Sequence, residues 1–102
     1  GCVLPFHIAI RNNASVEVVK LIYSFNRSCI KHKDNLGWLP LHYAADYNRV
    51  VLIPWLVELF PTSLKISDKR HRTAKDIAAN LKNIEAAAML EKLEVELGIY
   101  YT

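Results

Sequence analysis

One stretch of this chain recurs. Leu4-Pro5-Phe6-His7-Ile8-Ala9 returns 35 residues later as Leu39-Pro40-Leu41-His42-Tyr43-Ala44. A fainter third copy, Thr73-Ala74-Lys75-Asp76-Ile77-Ala78, follows a further 34 residues on. The segments leading into the second and third copies also correspond, Lys33-Asp34-Asn35-Leu36-Gly37 with Ser67-Asp68-Lys69-Arg70-His71. Self-similarity at such a period marks a solenoid, whose units bury their apolar faces only against their neighbours. With 102 residues, 52% of them hydrophobic, the chain is long enough for three units and apolar enough to bury a core.

The local physics of a unit can be read directly. Pro5 and Pro40 stand where a helix begins, a place that tolerates proline because the first helical N–H has no partner. The first helix is short, about Pro40 to Tyr47. Asn12, Asn13 and Asn48 supply a turn. A second apolar helical stretch follows in each unit: Val16 to Phe25, Val51 to Phe60 and Ile84 to Leu97. Ser15 can cap the first of these, and Glu17 in its first turn suits the helix dipole. Pro61 ends the second, Gly98 stops the third, and Pro54 falls in an opening turn, where it does no damage.

The segment Gly37-Trp38-Leu39-Pro40-Leu41-His42-Tyr43-Ala44-Ala45 resembles the ankyrin repeat signature, Gly-x-Thr-Pro-Leu-His-x-Ala-Ala, and the period agrees. The resemblance covers nearly the whole chain. It implies an all-α, ankyrin-like solenoid of paired antiparallel helices with short β-turn fingers, in approximate units 1–33, 34–67 and 68–98. It also has departures. Leu4 and Leu39 replace the family's threonine, which only Thr73 keeps. His71 stands where the turn glycine belongs, so that turn is expected to be distorted, and Asp76 replaces the histidine. The long third-unit helix, with its Glu-rich side, reads as a C-terminal cap. Val3, Leu4 and Phe6 have no comparable cap before them and are expected to lean on an earlier repeat. The Gly-Cys-Val start points the same way, to a segment of a longer or processed chain.

Composition excludes several classes of function. No apolar run approaches the roughly 18 residues of a membrane-crossing helix. Glycine occurs only at Gly1, Gly37 and Gly98, too few for a phosphate-cradling loop. Neither Gly-x-Ser-x-Gly nor His-Glu-x-x-His occurs, so no enzyme activity and no cofactor are expected. His7 and His42 occupy equivalent positions, and the resemblance implies that they link adjacent repeats through backbone. Cys29 and His32 lack the second ligand pair of a zinc site. Two cysteines make no disulfide framework, which favours a reduced intracellular compartment, cytoplasmic or nuclear. Asp34 and Asp68 recur once per unit and read as turn-fixing residues rather than an acid–base pair.

Net charge is +3 but uneven: residues 1–82 hold twelve Lys and Arg against six Asp and Glu, while residues 83–102 hold one against four. A basic cluster runs through Lys65, Lys69, Arg70, His71, Arg72 and Lys75. It reads either as a solvated finger or as a docking patch for an acidic partner, with nucleic acid disfavoured for want of a larger basic surface. The resemblance places binding on a concave face of fingertips and first helices. Projected onto this sequence, that face takes Val3, Arg11 and Asn12 from the first unit. The middle unit gives Lys33, Asn35, Leu36, Trp38, Asp46 and Tyr47; the third gives Ser67, Lys69, Arg70, Arg72, Asn80 and Leu81. Tyr43 shares a helix face with Tyr47 and joins the set. Trp, Tyr and Arg dominate protein–protein hot spots, but Trp38 and Tyr43 fit packing against the neighbouring finger equally well. The expected function is non-catalytic binding of another protein, with Trp38 and Tyr47 as anchors. Two alternatives stand beside it: a structural end segment of a longer array, able to self-associate through its uncapped first unit, and weak nucleic-acid or acidic-partner binding through the Lys65–Lys75 finger. No membrane partner is expected.

Overall fold

The computed structural model describes the backbone of residues 3–98 and the side chains from Phe6 onward. Cys2 and the side chains of Val3 and Leu4 lie outside the described residues. Among the described residues, six α-helices run in three antiparallel pairs: α1 (Val3–Arg11) with α2 (Val16–Phe25), α3 (Pro40–Asp46) with α4 (Leu52–Leu59), and α5 (Ala74–Asn80) with α6 (Ile84–Leu97). Single 3-10 turns at Arg27–Lys31 and Pro61–Lys65 follow α2 and α4. No strand occurs among the described residues.

Local chemistry explains the boundaries. The Ser15 hydroxyl accepts the Val18 N–H at 3.2 Å and starts α2. Pro40 opens α3 and Pro54 is the third residue of α4, both where the N–H needs no helical acceptor. Pro5, expected at a helix start, falls third in α1. Gly98 closes α6 in the left-handed region, at φ 67°. The departures from the family signature also find their explanation here. In α5, Thr73 accepts the Asp76 N–H while the Asp76 carboxylate accepts the Thr73 N–H. Leu39 cannot accept, but its N–H is still taken at 2.9 Å by Nδ1 of His42, three residues on. Asp76 and His42 therefore do the same work at the same position.

The first helices stack α1 on α3 on α5, with buried alanines, Ala44, Ala45, Ala74 and Ala78, letting the backbones close in. The second helices differ. α4 packs closely on α6, whereas α2 meets α4 through aromatic bulk: Tyr23 lies edge-on to Trp55 at 5.4 Å between centroids, and Phe6 reaches the same indole at 6.4 Å. Phe6 is fully buried in this cluster. It therefore belongs to the core between units one and two, which corrects the expectation that it leans on an earlier repeat. Among the described side chains of the first unit, the exposed large apolar residues are Ile8 of α1 and Val18, Leu21 and Phe25 of α2, the last 81% exposed.

Two polar clasps tie the units together. Arg49 reaches back to the end of α1, its guanidinium donating to Ile10 O at 2.9 Å, Ala14 O at 2.5 Å and Ala9 O at 3.4 Å. Thirty-four residues on, Nδ2 of Asn83 donates to Ala45 O and Asp46 O, each at 2.9 Å, at the end of α3. Each clasp adds a side-chain donor to carbonyls at a helix end, where the regular helical hydrogen bonds run out.

Candidate partner-binding face

Each finger is a tight turn built around an aspartate. In the first, Asp34 N–H donates to Trp38 O and Gly37 N–H to Asp34 O. Oδ1 of Asp34 accepts the N–H groups of Leu36 and Trp38 at 2.9 Å, and Oδ2 accepts the Tyr43 hydroxyl. The second repeats the pattern with Asp68, whose Oδ1 accepts Arg70 N–H at 2.8 Å and Arg72 N–H at 2.9 Å. Both aspartates therefore act as turn-fixing residues. His71 takes the position of Gly37 and also its left-handed conformation, φ 64° against 77°, so the expected distortion of the second turn does not occur. The fingers also touch. Lys69 N–H donates to Leu36 O at 3.1 Å, and a Cβ on Gly37 would stand 3.1 Å from that same nitrogen. A side chain at 37 would crowd this approach, and glycine takes the left-handed φ without the strain a Cβ brings.

Trp38 is the main correction to the expected anchors. It is 9% exposed, stacks on the His42 ring, lies edge-on to Tyr43 at 4.9 Å and donates its indole N–H to Oδ2 of Asp68 at 2.9 Å. It is a strut from one finger to the next, and a partner cannot reach most of it. Tyr43 is half-buried and committed to Asp34, which along with burial pushes its hydroxyl up to about 12. The remaining candidates stay accessible. Leu36 is 56% exposed and Tyr47 46%, and Lys33, Asn35, Lys69 and Arg70 are exposed as well. Of the other projected positions, Arg11, Asn12, Ser67, Asn80 and Leu81 are exposed too. Asp46 is half-buried, and its carboxyl is raised by burial against the nearby Arg72 charge.

Electrostatics within the face are uneven. Asp68 is buried, yet its carboxyl falls to about 2: burial alone would raise it, but backbone N–H groups, the Trp38 indole and the Arg72 side chain outweigh that. Arg72 spends its guanidinium there, at 3.0 Å. Lys75 leaves the basic cluster to pair with Glu94 of α6 at 3.1 Å. The uncommitted cations are Arg11, Lys33, Lys69 and Arg70, for which no ion pair is found among the described residues. Arg11 and Leu36 line a cleft of about 230 Å³ between α1 and the first finger, with His7, Ile8 and Tyr43 on its walls. Ile8 was missed by sequence reasoning. Its signal was available, since the 35-residue repeat places it in the register of Tyr43.

Cys29 is buried in the turn after α2, as expected of a small apolar residue. No cluster of three or more His, Cys, Asp or Glu side chains suited to a metal occurs among the described residues, and none of the described helices is long and apolar enough to cross a membrane.

The family model for ankyrin repeats (3 copies) matches residues 5–99. With stacked helix pairs and fingers as described, the chain belongs to the ankyrin repeat family. Members of that family generally serve as interaction modules for other proteins.

Proposed function

We propose that this chain is a non-catalytic protein-binding module whose concave face, the two fingers and the inner helices α1, α3 and α5, receives an acidic partner in an intracellular setting. The single observation that carries this reading is the exposed make-up of the fingers, where Leu36 stands among Lys33, Lys69 and Arg70 while both finger aspartates are satisfied internally; Tyr47 is exposed at the far end of α3. Apolar and aromatic anchors with a polar rim are the usual make-up of an interface. Asn35, Asp46 and Arg72 complete the surface, and Trp38 and Tyr43 hold it in shape from beneath. The proposed units are 1–33, 34–67 and 68–98.

The test is affinity capture from cell extract, quantified by mass spectrometry. The baits are the chain itself, Tyr47→Ala and the double reversal Lys69→Glu/Arg70→Glu, each checked by circular dichroism. A protein held by the parent and depleted about tenfold or more from a folded variant, a loss of about 1.4 kcal/mol, supports the reading. Equal capture by all three baits refutes it. Trp38→Ala is expected to loosen the fingers rather than to remove one contact, and is a poor probe of binding.

A second reading rests on a different observation. Val18, Leu21 and Phe25 form an exposed stripe at helical spacing on α2. The corresponding residues 35 positions on are Ile53 and Leu56, both buried, and Phe60, whose ring lies under the Lys31 ammonium at 5.4 Å. The stripe fits a further repeat or a second copy, making the chain an end segment of a longer array. Sedimentation should then show concentration-dependent association that Leu21→Ser/Phe25→Ser abolishes; a monomer at every concentration counts against it.

A further inference from the structure

We infer that the cleft between α1 and the first finger is an anchor pocket for one apolar side chain of an extended acidic segment in the partner. The inference rests on the concave-face reading and specifies the ligand's pattern. Ile8, Leu36 and Tyr43 give the cleft apolar walls, and Arg11, Asp34 and Asn35 line it as well. Its volume of about 230 Å³ is ample for a branched aliphatic side chain. The Asp34 carboxylate at the cleft is already engaged, accepting from Leu36, Trp38 and Tyr43.

The charge pattern sets what must flank the anchor. The Asp34 carboxyl is held below its ordinary value by hydrogen bonds that outweigh its burial, so it carries a negative charge at the cleft. A ligand carboxylate seated against Asp34 would be repelled, whereas an apolar side chain would not. Cations stand around the cleft: Arg11 lines it from α1, and the bond from Lys69 N–H to Leu36 O brings the second finger, with Lys69 and then Arg70, beside Leu36. Acidic residues on both sides of one apolar residue match this order, negative–apolar–negative against positive–cleft–positive. A nucleic-acid strand would satisfy the cations but would leave the apolar walls without a side chain.

The test is fluorescence anisotropy with a short labelled peptide in which a single Leu is flanked on each side by Glu and Asp. Replacing that Leu by Ser should weaken binding about tenfold, the scale of one buried aliphatic side chain. Replacing the acids by Gln and Asn should weaken it at least as much and remove its salt dependence. On the protein side, Leu36→Ser and, separately, Ile8→Ser should reproduce the first loss, and Arg11→Gln the second in part. The inference is overturned by no binding of the Leu peptide, by binding indifferent to the Leu or to Leu36, or by a single-stranded oligonucleotide that binds as tightly and competes. If the peptide fails while Tyr47→Ala still loses a captured partner, the concave-face reading stands without this anchor. If capture is also unchanged, both fall.

Discussion

Arg49 illustrates how one side chain can matter more than its surroundings suggest. It follows Asn48, a turn residue with φ 55°, and its planar guanidinium spans three carbonyls at the end of α1 and the turn after it. Burial lowers its pKa from the ordinary arginine value, but not enough to discharge it. Charge-assisted hydrogen bonds of this kind contribute roughly 1.5–3 kcal/mol each when one partner is removed, with strong non-additivity. Arg49→Ala should therefore destabilise the chain by about 2 kcal/mol in urea unfolding. Arg49→Lys should recover little, because a point ammonium cannot serve three diverging acceptors. A loss below about 0.5 kcal/mol for Arg49→Ala would show that water replaces the clasp. Asn83 performs the same service one unit on with a smaller fork, and Asn48 adds to that junction by accepting the Ala86 N–H through Oδ1.

At the scale of elements, the turns between paired helices obey one rule in three ways. Asn13, Asn48 and Lys82 all take the left-handed region, at φ 63°, 55° and 62°. Asparagine tolerates that conformation, but lysine carries the full Cβ penalty. His71 does the same in the second finger. Lys82→Gly and His71→Gly should each raise stability by up to about 1 kcal/mol, because relief of backbone strain exceeds the added entropy of the unfolded chain. Thermal melts read this directly, and a fall in midpoint for both would mean that the side chains hold the turns. The asparagines could be recognised as turn residues from their type. Lys82 could not, since nothing in its chemistry marks it, and only the equivalence of the three units reveals it.

Across the whole molecule, the junction between units two and three carries the pH response. His42 is buried in the second unit, and its pKa is lowered mainly by that burial, which disfavours the cation. The folded state then binds protons less readily than the unfolded chain, so this contribution is complete above the ordinary value of 6.5 and is lost as pH falls below it. Asp68, held at about 2, adds a second loss at lower pH, between its ordinary 3.8 and that value, of order 2 kcal/mol in all. Urea midpoints measured against pH should be level above neutrality and decline in two stages toward acid. Asp68→Asn should shrink the lower stage, to which Asp34 also contributes, and deepen the upper one, because the Asp68 charge favours the His42 cation; a single-stage decline unchanged by Asp68→Asn would contradict this account.

How much of this was legible beforehand differs by level. The period, the helix pairs and their caps follow from residue order, because proline placement, Ser15, Gly98 and apolar spacing act within a few residues of themselves. The two finger aspartates were legible for the same reason: their bonds close over two to four residues. The role of Trp38 was not legible. Tryptophan suits an exposed anchor and a buried strut equally, and the choice depends on where Asp68, thirty residues away, presents its carboxylate. Phe6 was misjudged for a related reason. Its partners Tyr23 and Trp55 lie in two other helices, and only the stacking of units decides which face of a short helix is inner. Sequence alone determined the repeating unit, since its causes are local. Tertiary structure decided which aromatic and cationic side chains are consumed between units and which are left to face a partner, because that depends on distances between residues the chain order keeps apart.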